Sequence, residues 1–380
     1  MAFERAPQTR EEARAHFAHT LTPEQRASSP LYAALCDATR DDDTLVDLLL
    51  SAPPSQRRPV LVFAALHELA LTEATEALSP WYPTARWLSQ CGGLDGAPAT
   101  PAPISIDDLA LGVAAVREVA REHHDQLGHL LAHRSTQTNE VGRSGVLAFA
   151  QRLVADGASF GLVDLGCSAG LNLLPDTYCI EASDGTLLGD ASSGVTISPT
   201  WIEGSPRGAR WQIEWRCGIE VAPIDLASDA DARWLLACQW PDDLDRFERT
   251  RRAIRQWRAR STQPPILPGT ALSRLEEAVE MAPADLPLVV QHSWVAAYLS
   301  RQEQDELAAL IRRLGANRPL SWLWLEHARE VPGLEPPRPL RARIPGSSLL
   351  VSERIGEAPQ VLAQVQPHGG WAAWEPLGGI

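Results

Sequence analysis

The chain has 380 residues, of which 44% are hydrophobic and 22% charged, and its formal net charge is −14. This composition is typical of a globular protein, and the negative charge argues against a surface that binds nucleic acid. All 34 basic residues are arginine, so a Schiff base on lysine is excluded as chemistry for this protein.

The sequence predicts a cytoplasmic protein with reduced thiols. The N-terminal residues MAFERAPQTREEAR carry charges where a signal peptide needs an apolar core. No stretch reaches the ~18 apolar residues of a membrane span. The six cysteines show no C-x-x-C spacing, and the pair His129 and His133 has no acidic or cysteine motif beside it. We therefore expect neither disulfides nor a metal site.

Residues 1–134 carry helical patterns only. Apolar residues recur at intervals of three and four in 57–71 and 105–134, which is the period of a helix. The tetrad Thr22-Pro23-Glu24-Gln25 offers an N-cap, a proline at the first helical position and a capping-box glutamine. We interpret 1–134 as a helical N-terminal domain.

Residues 135–380 alternate strand and helix patterns. A loop and helix at 135–157 lead into an apolar strand, FGLVDLG (160–166), and LNLLPDTY then has the pattern of a helix start. Further strand patterns lie at 211–221, 264–267, 286–291 and 320–326, with helix patterns at 242–257 and 301–315. This α/β alternation predicts a parallel sheet covered on both faces, and SLLVSERI and QVLAQV predict a closing hairpin.

The segment 179–210 reads as an insertion into this α/β pattern. It is polar and rich in turn residues, and Asp184-Gly185 within it is typical of a hairpin turn. Because of this segment, Glu220 lies 50 positions after Gly170, against about 20 for the corresponding residues of a dinucleotide-binding fold. We predict an inserted hairpin flap.

The stretch DLGCSAG, residues 164–170, fits two patterns. G-x-S-x-G is the turn that presents the nucleophile of α/β-hydrolases, here Ser168. D-x-G-x-S-x-G is also typical of a glycine-rich loop that lets a cofactor approach the backbone after a first strand. An acid and a histidine follow Ser168 in hydrolase order, as Asp285 or Asp305 with His327 or His368.

The context favours the cofactor loop over the nucleophile. The preceding residues look helical, whereas a nucleophile turn normally follows several strands. Asp164 ends the strand, and Gly166 and Gly170 allow a close approach of ligand to backbone. Glu220 comes at the end of the next strand, where a carboxylate can accept hydrogen bonds from ribose hydroxyls.

Polar residues gather at two further places. His292-Ser293-Trp294 follows the strand at 286–291, at the carboxyl edge where open α/β sheets bind ligands. Asn139, Glu140 and Arg143 precede the first sheet strand, where a leading helix can close over a ligand.

Six sequence blocks carry a family resemblance: QTNEVGRS (137–144), LVDLGCSAGLNLLPDTY (162–178), WRCGIEVAPIDL (215–226), ARWLLACQWPD (232–242), HSWVAAYL (292–299) and PHGGWAAW (367–374). In order and spacing they resemble a bacterial family of unknown function, DUF2332, from about residue 30 to the C-terminus. The resemblance implies a Rossmann-like class I methyltransferase sheet with an S-adenosylmethionine pocket. The implied cofactor-binding residues are Asp164, Gly166, Ser168, Gly170, Asn172, Glu220, Thr270 and Ala271.

The first hypothesis for function is an S-adenosylmethionine-dependent methyltransferase that acts on a small molecule, with no nucleic-acid or membrane partner. The candidate catalytic residues are His292, Glu140 and Tyr298, and the candidate substrate-binding residues are Asn139, Arg143 and Trp294. His292 is the expected base because a pKa near 7 suits the removal of a proton from the acceptor. A non-catalytic or regulatory S-adenosylmethionine-binding protein and an α/β-hydrolase that uses Ser168 stay open as alternatives.

Overall fold

The computed structural model describes residues 6–72, 77–97, 109–202, 204–205, 211–327, 344 and 346–374. The protein is mixed α/β, and its residues cluster into two compact units. The first unit is Met1–Thr138 with Asp225–Arg251, and the second is Asn139–Ile224 with Arg252–Ile380. Within the described ranges, no helix is both long enough and apolar enough to cross a bilayer.

The helices in chain order are α1 (Arg10–His19), α2 (Pro23–Ser28), α3 (Pro30–Ala38), α4 (Thr44–Ser51), α5 (Pro59–Leu71), α6 (Pro83–Gln90), α7 (Leu109–Glu122), α8 (His124–His133), α9 (Arg143–Ala155), α10 (Asp229–Ala237), α11 (Leu244–Arg258), α12 (Ala271–Met281) and α13 (Arg301–Gly315). The strands are β1 (Ser159–Leu165), β2 (Cys179–Glu181), β3 (Leu187–Gly189), β4 (Thr196–Ile197), β5 (Thr200–Ile202), β6 (Gln212–Glu220), β7 (Ile266–Pro268), β8 (Leu288–Ser293), β9 (Leu320–His327), β10 (Ser348–Arg354), β11 (Gln360–Val365) and β12 (Trp371–Trp374).

The first unit is helical where it is described. Two features that the sequence predicts for it can be compared with the structure. The capping box of α2 is confirmed, because Thr22 Oγ1 accepts the Gln25 N–H (3.2 Å) and Gln25 Oε1 accepts the Thr22 N–H (2.9 Å). The helical pattern at 105–134 forms two helices, α7 and α8, with His123 between them, and residues 105–108 lie outside the described ranges.

The segment 225–251 belongs to the helical unit, although its sequence places it within the predicted sheet domain. Helix α10 packs on α5, whose His67 is fully buried. Nδ1 of His67 donates to the carbonyls of Ala237 and Gln239 (3.1 Å each), and its Nε2 accepts the Thr84 hydroxyl (2.7 Å). These long-range bonds help to hold 225–251 against α5. No periodic pattern in the sequence predicts them.

The second unit is built on a nine-stranded sheet in the order β5-β12-β11-β10-β9-β8-β1-β6-β7. The strands β7, β6, β1, β8 and β9 run parallel, whereas β10, β11 and β12 form an antiparallel meander. Along the chain, β6 and β7 follow on one side of β1, whereas β8 and β9 lie on its other side. The direction of strand order therefore reverses between β1 and β8. The parallel-rich sheet and the β10–β11 hairpin confirm those two predictions.

Both faces of the parallel strands are covered. Val163 and Leu165 of β1 belong to an apolar cluster that includes side chains of α12 and α13. Asp164 points to the opposite face, because successive side chains of a strand alternate. There it meets Gln291, which is hydrogen-bonded to Gln151 of α9.

The predicted helix at LNLLPDTY is wrong. The chain forms two short 3₁₀ turns instead, at Leu171–Leu173 and Pro175–Thr177. Pro175 lacks the N–H that a continuing helix requires and disfavours helical backbone at the residue before it. The turns keep the loop after β1 compact and lead directly into β2.

The insertion at 179–210 contains the predicted hairpin. Strands β2 and β3 pair antiparallel, and Ala182 N–H donates to the Thr186 carbonyl (2.8 Å) across the Asp184-Gly185 turn. Strand β4 adds to this small sheet, whereas β5 joins the edge of the large sheet beside β12. Residues 203 and 206–210 of the insertion lie outside the described ranges.

His67→Ala should destabilise the protein by about 2–4 kcal/mol at pH 7.5, because it removes three buried hydrogen bonds and leaves a cavity. Burial also lowers the pKa of His67 to about 4 from 6.5. A depressed histidine pKa stabilises the fold above pH 6.5, and this contribution of about 3 kcal/mol is lost as the pH falls toward 4.

Urea unfolding from pH 7.5 to 4 tests both effects. His67→Ala should lose stability less steeply with acid than the parent protein. The matched control is His133→Ala, at an exposed position of α8, which should change neither quantity. Equal acid sensitivity in the parent and the His67 variant would contradict the assignment.

Candidate functional site

The loop after β1 turns sharply at the carboxyl end of the sheet. Gly166, Ser168 and Gly170 have φ angles of +66°, +55° and +77°, which is left-handed backbone. The N–H groups of Gly166 and Cys167 both donate to the Ile219 carbonyl (2.8 and 3.2 Å). A Cβ on Gly166 would lie 2.5 Å from Val295 Cγ2, so this turn requires glycine.

Glu220 ends β6 beside this loop, as the sequence predicts. Its Oε2 accepts the Ser168 N–H (2.8 Å), and its Oε1 accepts the Ala222 N–H (3.2 Å). The side chain is half-buried, so each oxygen keeps a further acceptor position for a group that approaches the loop. The structure thus joins the two features that the cofactor hypothesis requires.

Two residues that the sequence predicts as ligand contacts, Asn139 and Asn172, form hydrogen bonds that hold the loop after β1 instead. Asn139 Oδ1 accepts the Leu171 N–H (2.9 Å), and the Ser144 hydroxyl donates to Asn172 Oδ1 (2.8 Å). All four residues are buried. Asn139 and Asn172 therefore tie the start of α9 to the loop after β1, and we assign them a positioning role.

Asp164 lies at the end of a buried chain of amide groups. Trp211 Nε1 donates to Gln151 (3.2 Å), Gln151 Nε2 donates to Gln291 (2.7 Å), and Gln291 Nε2 donates to Asp164 Oδ1 (3.2 Å). Burial raises the pKa of Asp164 to about 7, and the nearby Glu220 carboxylate adds to the increase. This carboxyl group can thus change its charge near neutral pH when a ligand binds.

His292 is the second-last residue of β8 and forms a buried pair with Glu326, which is not among the residues predicted from the sequence. His292 Nδ1 lies 2.7 Å from Glu326 Oε1, and the same oxygen accepts the N–H groups of Val295 (2.8 Å) and Ala296 (3.2 Å). The available signal was a lone acid in an apolar strand, LSWLWLE. It identified no partner, because only the sheet pairing brings β9 beside β8.

Trp294 begins the turn after β8. Its φ of +60° is strained for a tryptophan, and its N–H donates to the Leu325 carbonyl (3.0 Å). This turn carries Val295 and Ala296 back over Glu326. The strained backbone at Trp294 is thus part of the turn that brings the two N–H groups to the Glu326 carboxylate.

Glu140 and Arg143 meet the PHGG block near the C-terminus. Arg143 is buried, and it donates to the Pro367 carbonyl (2.9 Å) and to Ser293 Oγ (3.2 Å). Glu140 Oε2 lies 3.6 Å from His368 Nδ1. A Cβ on Gly369 would lie 2.4 Å from a backbone oxygen of the segment that leads into α9, so the two blocks are in close contact.

Arg143 also links this cluster to the end of β8. Its guanidinium carbon lies 6.0 Å from the centre of the Trp294 ring, and its Nη1 contacts Ser293. Asn139, Glu140, Arg143, His292 and Trp294 therefore belong to one carboxyl-edge region of the second unit.

Three predicted residues lie in more exposed positions. Tyr298 is 68% exposed. Thr270 is an exposed N-cap whose Oγ1 accepts the Ser273 N–H (3.2 Å), and Ala271 is the first residue of α12. The Thr270 hydroxyl is thus already bonded within its own helix, which leaves it poorly placed to bind the cofactor that the resemblance implies.

Several buried polar atoms at this edge have no hydrogen-bond partner among the described residues: Ser168 Oγ, His292 Nε2, Trp294 Nε1 and Glu326 Oε2. Buried polar groups are nearly always paired, so a cluster of unpaired ones requires an explanation. These four atoms mark the carboxyl edge as a place where the described chain leaves polar groups unpaired.

The profile of one protein family, described as an uncharacterized protein conserved in bacteria (DUF2332), matches residues 14–374. This chain belongs to that family. A search of curated proteins found no match. The match includes every candidate residue above and assigns no activity.

Asp164→Asn should stabilise the protein without ligand at pH 8. The raised pKa means that ionisation opposes folding, so the stability due to this carboxyl group is full below pH 3.8 and is lost as the pH rises through 7. The amide keeps the Oδ1 acceptor and carries no charge. The gain should grow between pH 4 and 7, to at most about 4 kcal/mol, and stay constant above pH 7.

Urea unfolding at a series of pH values measures this gain. Asp285→Asn is the control, because that carboxyl group is exposed and its replacement should change little at any pH. If Asp164→Asn is no more stable than the parent at pH 8, the buried carboxylate does not lower the free energy of unfolding, and the prediction is wrong.

Proposed function

We propose that this protein is an S-adenosylmethionine-dependent methyltransferase that acts on a small molecule, with a Rossmann-like class I methyltransferase fold. The parallel strands β7-β6-β1-β8-β9 have the order 3-2-1-4-5 when they are numbered along the chain. Sheets of this order bind ligands outside the carboxyl ends, where the order reverses. That place lies between β1 and β8, at Gly166 and His292.

The observation that carries the proposal is the pairing of Glu220 with the left-handed loop. The Glu220 carboxylate accepts the Ser168 N–H and keeps acceptor positions for a ribose diol. Gly166 is exposed, so its backbone is open to a ligand. These residues fit a nucleoside cofactor with a chain that extends across the glycine loop.

The charges at this edge also suit the cofactor. Asp164 and Glu220 lie near the ends of neighbouring strands, and burial first and the Glu220 carboxylate second raise the pKa of Asp164. S-adenosylmethionine carries positive charge on its sulfur and its amino group, and a nearby cation would favour the ionised form of Asp164. When bound, the cofactor would supply a methyl group on a good leaving atom.

The remaining chemistry would fall to residues of this chain. His292 would accept the proton of the acceptor, while Arg143 and Trp294 would hold the acceptor beside it. Glu140 is the second candidate base. The burial of His292 would keep bulk water from the reacting atoms.

Glu220→Gln should weaken S-adenosylmethionine binding about ten- to a hundredfold, because a charge-assisted hydrogen bond to the ribose is replaced by a weaker one. The amide oxygen can still accept the Ser168 N–H, and only the longer bond from the Ala222 N–H (3.2 Å) is lost, so the loop should keep its shape. Isothermal titration calorimetry measures the affinity, and the melting temperature without ligand should change little.

Glu214→Gln is the matched control, at an exposed position of the same strand, and should bind as the parent does. Equal affinity in the Glu220 variant would remove Glu220 from the ribose site. No binding to the parent protein at millimolar ligand would refute the proposal. Binding without turnover across a broad acceptor screen would favour a non-catalytic or regulatory binder.

A hydrolase is the second candidate, and the backbone of Ser168 favours it. A φ of +55° at a serine after a central strand is the strained geometry of a nucleophile turn, and Ser168 Oγ has no partner among the described residues. His292 with Glu326 would be the base and its orienting acid. This candidate ranks second because a 3₁₀ turn follows the loop, where a nucleophile turn leads into a helix.

A fluorophosphonate probe separates the two candidates. We expect no covalent adduct on Ser168 by intact-protein mass spectrometry, because the Glu220 carboxylate lies against the loop and would repel a developing oxyanion. A stoichiometric adduct that disappears in Ser168→Ala would replace the methyltransferase proposal with the hydrolase.

A further inference from the structure

Glu326 has an unusual set of partners for a fully buried acid. Its Oε1 accepts three donors: His292 Nδ1 (2.7 Å), Val295 N–H (2.8 Å) and Ala296 N–H (3.2 Å). An oxygen that receives two backbone N–H groups is an acceptor and carries no proton. The ring nitrogen that faces it at 2.7 Å must therefore be the donor, which places a proton on Nδ1 of His292.

The other ring nitrogen of His292 is then the chemically active one. With the proton on Nδ1, neutral imidazole has its lone pair on Nε2. His292 is 3% exposed, and its Nε2 has no partner within the described part of the chain. The ring also lies beside Trp322, with centroids 5.8 Å apart, which limits its rotation.

We propose that Glu326 is a positioning residue that fixes His292 in the Nδ1–H tautomer and so presents the Nε2 lone pair to the substrate. Its role in turnover rests on the proposed function, in which His292 is the base. The tautomer itself is a property of the protein without ligand.

This arrangement narrows the class of substrate. A lone pair in a dry site pairs with a hydrogen-bond donor, so the reacting group should be an O–H or N–H that is still protonated when it binds. Its proton would form a new bond to Nε2, and the electron pair of the broken bond would stay on the acceptor atom. Glu326 would balance the resulting imidazolium charge through Nδ1–H, and the proton would pass to water after product release.

Nitrogen NMR of the full-length protein with ¹⁵N-labelled histidine tests the proposal without cofactor or substrate. Ring nitrogens with and without a proton have separate ¹⁵N resonances, and His292→Gln identifies the His292 pair among the 10 histidines. At pH 8 we expect a protonated Nδ1 and a bare Nε2. A proton on Nε2, alone or together with Nδ1, would overturn the proposal.

Variants of Glu326 then show whether this residue causes the tautomer. Glu326→Gln keeps an oxygen acceptor and should keep the Nδ1–H signal, whereas Glu326→Leu removes the acceptor and should lose it. Retention of the Nδ1–H signal in a folded Glu326→Leu protein would overturn the positioning role. If Glu326→Leu does not fold, Glu326→Gln decides: an Nδ1–H proton resonance identical to that of the parent would overturn the role, because a hydrogen bond to an amide is weaker than one to a carboxylate.

Glu353→Gln is the matched control, since Glu353 is also buried and is paired with Arg312 (2.7 and 2.8 Å). It should leave the His292 resonances unchanged. The calorimetric titration with S-adenosylmethionine is independent of these spectra. A protein with the Nδ1–H tautomer that does not bind S-adenosylmethionine would support the role of Glu326 and refute the proposed function.

Discussion

The reversal of strand order between β1 and β8 is the constraint on which the candidate site depends. On one side of the reversal, β1 and β6 deliver the glycine loop and Glu220, and on the other side β8 and β9 deliver His292 and Glu326. Crossover segments leave the sheet in opposite directions at such a point, so a crevice opens at the carboxyl ends of the strands. Residues far apart in sequence share this edge for that reason alone.

Burial of the polar groups at this edge has a cost in folding free energy. Asp164, His292 and Glu326 are buried in the sheet, and a buried polar or charged group costs free energy unless it is fully paired. The chain limits the cost locally, through the amide chain to Asp164 and the three donors to Glu326. The proposed function would give these side chains a use that offsets this cost.

Local patterns predicted the elements well and their long-range partners poorly. Apolar runs located β1, β6, β8 and β9, and Thr22 and Asp184-Gly185 marked a helix start and a hairpin, because each signal depends on neighbours in sequence. The helix expected at LNLLPDTY failed at Pro175. The placement of 225–251 involves long-range contacts such as those of His67, and the pairing of Glu326 with His292 depends on the order of the strands. Neither contact leaves a periodic pattern in the sequence.

The carboxyl groups at this edge distinguish the two candidate functions. A hydrolase must stabilise negative charge that develops beside its nucleophile, and the loop N–H groups are the natural donors. Here Glu220 already accepts the Ser168 N–H, and its charge opposes ionisation of Asp164 on the neighbouring strand. Such a surrounding disfavours an oxyanion and favours a cation. The same charges that would oppose a nucleophile at Ser168 would therefore suit the positively charged sulfur of the proposed cofactor.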